Sequence, residues 1–175
     1  MDEILYEDLL EEFSEDLRDL FESGASEDEL NEEVLAIILL LFALGAGYDG
    51  VDDVTGDDRE WLDEMFRMTV ASAPGIIARA ESGADMEPTV VKVTNHAAGA
   101  YNYALMMHGM EESETWEWVM GPTEHCGDCV SYAAMGPLPS GRWAAIADQR
   151  GHYPQSPQLE CKGLHCQCRL KKSNG

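Results

Sequence analysis

Basic residues are scarce in this chain of 175 residues, which holds 11 lysines and arginines against 34 acids and has a formal net charge of −23. The shortage is greatest in residues 1–64, where the only bases are Arg18 and Arg59. Nucleic-acid binding depends on clustered lysine and arginine. We therefore expect no tight nucleic-acid binding by the acidic region. Its charges are interpreted as a solvated helix face, or alternatively as a docking surface for a basic partner.

Segments long enough to cross a bilayer are also lacking. The main apolar stretch, residues 34–48, is shorter than the roughly 20 residues that a membrane helix needs, which favours a buried core helix. The chain begins Met-Asp-Glu-Ile, without the basic residues that precede the apolar part of a secretory signal. We expect a protein that is made in the cytoplasm and does not contact a membrane.

Familiar catalytic signatures are missing as well. The sequence has no His-Glu-x-x-His motif, no phosphate-binding loop and no dinucleotide fingerprint. It does not match the zinc nucleobase deaminases, because His108 and Glu111 are one residue too far apart and Pro122 is not adjacent to Cys126. The aspartate-rich residues 49–58 lack the ligand spacing of an EF-hand and are interpreted as a solvated loop. We therefore expect that the protein is not an enzyme.

Helical periodicity dominates the first part of the chain. Residues 2–22 and 26–44 place apolar side chains at steps of three and four, which predicts two amphipathic helices in an antiparallel hairpin. Ser26 and Glu29 form the pattern of a capping box at the start of the second helix. Two glycines, at positions 45 and 47, suit its carboxyl end.

Two further helical stretches are predicted before residue 112. One covers residues 59–80 and must break at Pro74, where a new helix is expected to start. The other begins near Pro88, a favoured first-turn residue, and continues to about Gly109. Residues 1–112 are therefore predicted to form an acidic helical domain.

The pattern changes to alternation at Thr115. Trp116, Trp118 and Met120 fall on one side of a predicted short strand. All five cysteines follow it, in a Cys-x-x-Cys pair and, later, a single cysteine and a Cys-x-Cys pair. Residues 113–175 are predicted to form a zinc-binding cysteine module.

Cysteines clustered in a reducing compartment indicate a metal before disulfides, and two separated groups suit a closed tetrahedral zinc site. A redox pair or incidental thiols are the alternative. The candidate ligands are Cys126, Cys129, Cys161, Cys166 and Cys168. We prefer the four without Cys161, which can replace Cys166 or Cys168, and hold His125 and His165 in reserve.

The segment between the two groups of cysteines has too few apolar residues for a core of its own. Bound metal supplies folding free energy to such segments, so we expect structural Zn²⁺. Zinc is preferred to an iron–sulfur cluster because a Cys-x-Cys pair is unusual in such clusters. The expected fold class is mainly α: an acidic helical bundle followed by a small zinc-stapled α+β module with a short strand or hairpin.

A longer motif joins residues 116–129, Trp143 and residues 154–170, about one third of the chain. It resembles the ending of bacteriophage minor head proteins, the head morphogenesis family of the Mu F-like type. The resemblance implies a low-copy component of the virion head that is needed in capsid assembly and contacts the portal or the major capsid protein. It also implies that the four preferred cysteines are the metal positions.

The leading hypothesis is therefore a phage structural and assembly protein that acts by protein–protein contact, is made in the bacterial cytoplasm and resides in the virion head. The alternative is a regulatory zinc-binding module that contacts nucleic acid through the basic tail, residues 169–172. A metal-dependent hydrolase comes third, because it needs an open coordination position among many cysteines.

Overall fold

The computed structural model describes residues 3–71, 82–122, 125–163 and 166–173. The described part is mainly helical and has a small antiparallel sheet and a cysteine cluster near its carboxyl end, which confirms the expected mainly-α class. Its elements are α1 Glu3–Ser23, α2 Glu27–Ala46, α3 Gly56–Ala71, α4 Glu87–Ala104, β1 Thr115–Val119, α5 Gly127–Ala133, β2 Leu138–Pro139, α6 Ser140–Arg150 and β3 Arg169–Lys172.

Local sequence sets both ends of α2. The Ser26 hydroxyl accepts a hydrogen bond from the Glu29 N–H at 3.3 Å, and the Glu29 carboxylate accepts one from the Ser26 N–H at 2.8 Å, so the capping box is present. Gly47 ends the helix in the left-handed region, with φ of 73°. Helix α3 starts earlier than expected, and Pro74, with the new helix predicted there, lies outside the described residues.

Gly45 allows α2 to contact α4 closely and does not form the turn that ends α2. A Cβ at Gly45 would overlap the carbonyl oxygen of Tyr101 on α4. A Cβ at Gly109 would likewise overlap the carbonyl oxygen of Gly45. Gly109 closes a π-helical turn, Leu105–Gly109, that continues α4 to the end predicted for it. The glycines thus let the backbones of α2 and α4 approach closely, and these two helices form the most extensive helix pair of the described chain.

One buried cluster joins the helices to the carboxyl-terminal segment. Its least exposed side chains include Phe13, Leu17, Ile38, Leu41, Phe42, Leu62, Val90, Leu105, Met106, Trp143 and Leu159. Burial of apolar area is the main favourable term in folding, at about 25 cal/mol per Å². These residues come from both predicted segments, 1–112 and 113–175, which therefore bury side chains in a common core.

The sheet has the order β2-β1-β3, with both pairs antiparallel. Trp116 and Trp118 of β1 are buried, and the Trp143 indole N–H donates to the Trp116 carbonyl at 2.7 Å. Met120, expected beside the tryptophans, lies past the end of β1 and is 41% exposed. The central strand thus anchors the segment that precedes the first cysteines.

Residues 49–58, expected to be a solvated loop, end in the first turn of α3, where Asp58 is only 8% exposed. Its carboxylate accepts hydrogen bonds from the hydroxyl groups of Thr55 at 2.6 Å and Tyr48 at 3.3 Å. Its other oxygen lies 3.0 Å from the Nε2 of His108. Asp58 therefore ties the loop to the end of α4, a role that the sequence pattern did not indicate.

None of the helices in the described part of the chain combines the length and the apolar character that a bilayer span requires. The apolar stretch at residues 34–48 is instead core, as predicted. Ile38, Leu41 and Phe42 on α2 have no exposed surface.

Helices α1 and α2 flank a shallow groove of about 210 Å³. It is lined by Leu9, Glu12, Phe13, Asp16, Glu33, Ala36, Ile37 and Leu40. Burial raises the pKa of Glu33, and the negative charges of Asp16 and Glu12 raise it further. A raised pKa means that the folded protein binds more protons than the unfolded chain, so stability falls as the pH rises through the titration range of Glu33.

Replacing Glu33 by glutamine should stabilise the protein at pH 7, because it removes a carboxylate that its neighbours repel. The expected gain in unfolding free energy is about 0.3 kcal/mol, the size of a like-charge pair on a helix surface. Thermal or urea unfolding measures it. Glu32→Gln is the matched control, since Glu32 is exposed on the same helix. An equal effect of both variants would show that net charge alone is responsible.

Candidate metal centre

The first two cysteines belong to the start of α5. Cys126 is the N-cap residue and Cys129 lies in the first turn, so the helix presents both sulfurs on one side, 3.5 Å apart. Trp118 of β1 is buried and stacks on Tyr132 of α5, with ring centroids 4.9 Å apart, which holds this short helix against the sheet. The sequence spacing Cys-x-x-Cys thus becomes a pair of adjacent sulfurs.

The other three cysteines reach the same place from two further segments. Cys161 lies in the turns after α6, and Cys166 and Cys168 lie in the segment that leads into β3. The Sγ atoms of Cys129 and Cys166 are 3.7 Å apart. The sulfurs of Cys126, Cys129 and Cys161 all lie within 4.8 Å of one another, as do those of Cys129, Cys166 and Cys168. The structure therefore brings together all five cysteines that the sequence singled out.

The cluster is buried on one side and reaches the surface on the other. Cys129 is 1% exposed, Cys166 3% and Cys168 0%, whereas Cys126 and Cys161 are half-buried. All five are free thiols. An ion would thus be enclosed by the chain and remain accessible from the side of Cys126 and Cys161.

The thiols of the cluster differ in pKa. Hydrogen bonds with Cys161, Cys166 and Cys168 raise the pKa of Cys129. The hydrogen bond from Cys129 lowers the pKa of Cys168 to about 3 and that of Cys166 to about 7. Some sulfurs in the cluster thus ionise readily while a neighbour keeps its proton. A bound cation would let several sulfurs act as thiolate ligands at once, so the cluster can hold a metal ion.

The two histidines held in reserve as ligands differ in where they lie. The Nδ1 atom of His125 lies 3.6 Å from the Sγ of Cys168, at the edge of the cluster. His165 lies outside the described residues. His125 is thus the imidazole that the described chain places against a cysteine.

Two carboxylates lock the first cysteine pair to the turn of Cys161. Glu160 accepts a hydrogen bond from the Gly127 N–H at 2.8 Å, and Asp128 accepts one from the Glu160 N–H at 2.8 Å. Acids at a helix start are favourable because they satisfy free N–H groups there. The sequence pattern did not indicate this role. The signal available was the position of Asp128 next to Cys129 and of Glu160 next to Cys161.

Helix α4 holds the segment between α6 and the last cysteines. The Nε2 atom of His96 lies 2.9 Å from the Lys162 carbonyl, and the Asn102 amide donates to the Gln155 side chain at 2.7 Å. Gln155 has φ of 65° and Lys162 of 53°, in the left-handed region that non-glycine residues rarely adopt. Gly163 follows with φ of 69°, and a Cβ there would overlap the Gln155 carbonyl. These hydrogen bonds and the close contact at Gly163 fix the conformation of the turn that carries Cys161.

A glycine also allows the chain to pass over the final cysteine pair. A Cβ at Gly121 would lie 2.5 Å from the carbonyl oxygen of Gln167, which is closer than the Cβ atoms of real side chains come to other atoms. Gln167 lies between Cys166 and Cys168. The chain just after β1 therefore packs at Gly121 against the last sulfur-bearing segment, a contact that the sequence spacing does not reveal.

No family model, no curated protein and no solved structure matches this chain. The resemblance to phage minor head proteins thus stays a prediction from the motif. What the chain does must be argued from the cysteine cluster, the residues that frame it and the acidic helices.

Replacing Gly163 by alanine should destabilise the protein more than replacing Gly136. Both glycines have positive φ, so alanine costs about 1–2 kcal/mol at either position. Only the new methyl group at 163 would also displace the Gln155 carbonyl, whereas the space around Gly136 is open. Urea unfolding of the two variants measures the difference. Equal losses would mean that the contact between Gly163 and Gln155 does not constrain the turn.

Proposed function

We propose that the protein is a structural component of a phage head, acting by protein–protein contact during capsid assembly, with a carboxyl-terminal segment held together by zinc. The observation that supports the metal is the convergence of five cysteines from three chain segments on one cluster. The motif shared with phage minor head proteins supports the assignment to a phage head. The acidic helices support a role in binding a basic partner.

Sulfur spacing favours metal over a disulfide. In a tetrahedral site with Zn–S bonds of about 2.3 Å, neighbouring sulfurs are about 3.8 Å apart. The measured separations of 3.5 Å from Cys126 to Cys129 and 3.7 Å from Cys129 to Cys166 are close to that value. A disulfide would bring two sulfurs to about 2.05 Å. Thiolate-rich sites select soft or borderline ions, and zinc is the borderline ion that adds no redox chemistry.

A structural role follows from what the sulfurs connect. Cys126 and Cys129 belong to the start of α5, Cys161 to a turn, and Cys166 and Cys168 to the approach to β3. Bound zinc joins these segments directly, and its binding free energy becomes folding free energy. The site therefore makes the carboxyl-terminal segment rigid.

The acidic helices offer a partner both charge and apolar surface. The groove between α1 and α2 has apolar side chains on its floor, and Glu12, Asp16 and Glu33 at its rim. Leu40 at its edge is exposed. A basic surface with apolar side chains at its centre complements this groove, and charge of this size also accelerates encounter at low salt.

The basic tail gives less support to a nucleic-acid function. Arg169 forms an ion pair with Glu7 on α1 at 3.0 Å, and Lys172 forms one with Glu114. Bases that are paired with acids neutralise fewer phosphates. The described geometry therefore favours the protein-binding proposal over the regulatory alternative.

Protein purified without added metal should contain zinc, and chelation should unfold the carboxyl-terminal segment. We expect removal of zinc to lower the melting temperature by roughly 10 °C, equivalent to a few kcal/mol for a chain of this size. Elemental analysis and thermal unfolding measure both effects. Zinc should restore stability and magnesium should not. Protein that has no metal and five reactive thiols, and that melts unchanged in chelator, contradicts the zinc proposal.

Tagged protein should recover the portal or the major capsid protein from assembling heads, and the interaction should weaken as salt rises, because screening shortens the reach of the charges. The triple variant Glu12→Gln, Asp16→Asn, Glu33→Gln should bind more weakly.

The matched control changes three exposed acids near or on α3, in the variant Asp57→Asn, Glu60→Gln, Asp63→Asn. Equal weakening by both triple variants would indicate a net-charge effect rather than a docking groove. Recovery of neither head protein would remove the assembly role.

A further inference from the structure

We infer that the cysteine cluster binds two metal ions that share the sulfur of Cys129. The inference rests on the metal-binding part of the proposed function and extends it to the number of ions and the ligands of each. Cys129 Sγ is the sulfur common to both groups, within 4.8 Å of Cys126 and Cys161 and also of Cys166 and Cys168.

A single tetrahedral ion requires four ligand atoms that are all near neighbours, at about 3.8 Å for sulfurs. Within the described residues, however, the mutually close sulfurs form two sets of three. The outer set is Cys126, Cys129 and Cys161, and the inner set is Cys129, Cys166 and Cys168. The sets form two triangles that share the corner Cys129, and a hydrogen bond between Cys161 and Cys166 also links them. An ion centred on one triangle leaves outside it the two sulfurs that belong only to the other.

Non-cysteine donors lie beside each triangle. A nitrogen and a sulfur on one tetrahedral zinc are about 3.6 Å apart, and the Nδ1 of His125 lies 3.6 Å from the Sγ of Cys168. The inner ion would take Cys129, Cys166 and Cys168, and His125, which lies beside Cys168 but outside the set of mutually close atoms, is the described side chain that would have to turn inward to supply the fourth ligand. The outer ion would take Cys126, Cys129 and Cys161, and its fourth position falls to a ligand other than cysteine. Glu160, bonded to the Gly127 N–H next to Cys126, is on that side.

Metal counting on the full chain provides the first test. Protein loaded with zinc and then exchanged into a weak chelator, which strips ions from the acidic surface, should retain two zinc ions per chain. In this state no cysteine should react rapidly with an alkylating reagent. One zinc with one or two reactive cysteines would overturn the two-ion inference while leaving structural zinc in place. No retained zinc would overturn both proposals.

A substitution separates the two triangles. Cys161→Ser removes a half-buried ligand that belongs to the outer set alone, so zinc content should fall from two to one per chain. His152→Gln is the control, because the His152 Nδ1 atom lies 2.7 Å from the Tyr132 hydroxyl oxygen and His152 belongs to neither set. It should leave two ions. An unchanged zinc content in Cys161→Ser would identify Cys161 as a spare thiol and overturn the inference.

Cadmium-113 NMR of the unsubstituted protein tests the shared sulfur without relying on a variant that must fold. Two ions joined through Cys129 should give two resonances, each split by the other. A single resonance overturns the second ion. Two resonances without mutual splitting overturn the bridging role of Cys129.

Discussion

Buried sulfurs that cannot all ionise without a cation impose the strongest constraint on the carboxyl-terminal half of the protein. Cys129 is central to this constraint, because its sulfur lies near those of the outer set, Cys126 and Cys161, and of the inner set, Cys166 and Cys168. Thiols crowded in this way either keep protons or bind metal. The orientation of α5, the turn at Cys161 and the approach to β3 must all satisfy the same sulfur positions. The shape of this segment therefore depends on the sulfur cluster as well as on the buried core to which Trp143 and Leu159 belong.

The cluster nevertheless depends on the helices for its placement. His96 and Asn102 on α4 contact the segment that carries Cys161, and α4 is itself fixed by the close approach to α2 that Gly45 allows. Glu7 on α1 pairs with Arg169 at the start of β3. Contacts from α4 and α1 therefore reach the segments that bear sulfur, and α2 supports α4. The helical part supplies a rigid frame, and the cluster joins the parts of the chain that the frame does not cover.

Periodicity and capping predicted the helices well, because both act within a few residues of the chain. The capping box at Ser26 and the strand of alternating tryptophans are such local features. Helices α5 and α6 were not predicted, since their apolar residues are few and Trp143 is buried by partners distant in sequence. Spacing identified the five cysteines, but it preferred one set of four. The grouping around Cys129 depends on where a distant turn places Cys161, which sequence spacing does not contain.

In the proposed function, order at the cysteine cluster and charge on the helices have complementary consequences for binding. The acidic helices would attract a basic partner over a distance of about 8 Å at physiological salt, beyond which ions screen the field. A surface that is already ordered at contact loses less conformational entropy than a flexible one. A chain too short for two large cores can gain that order from bound metal rather than from added apolar residues. On this proposal the acidic helices accelerate encounter, and the cysteine cluster keeps the contacting surface ordered.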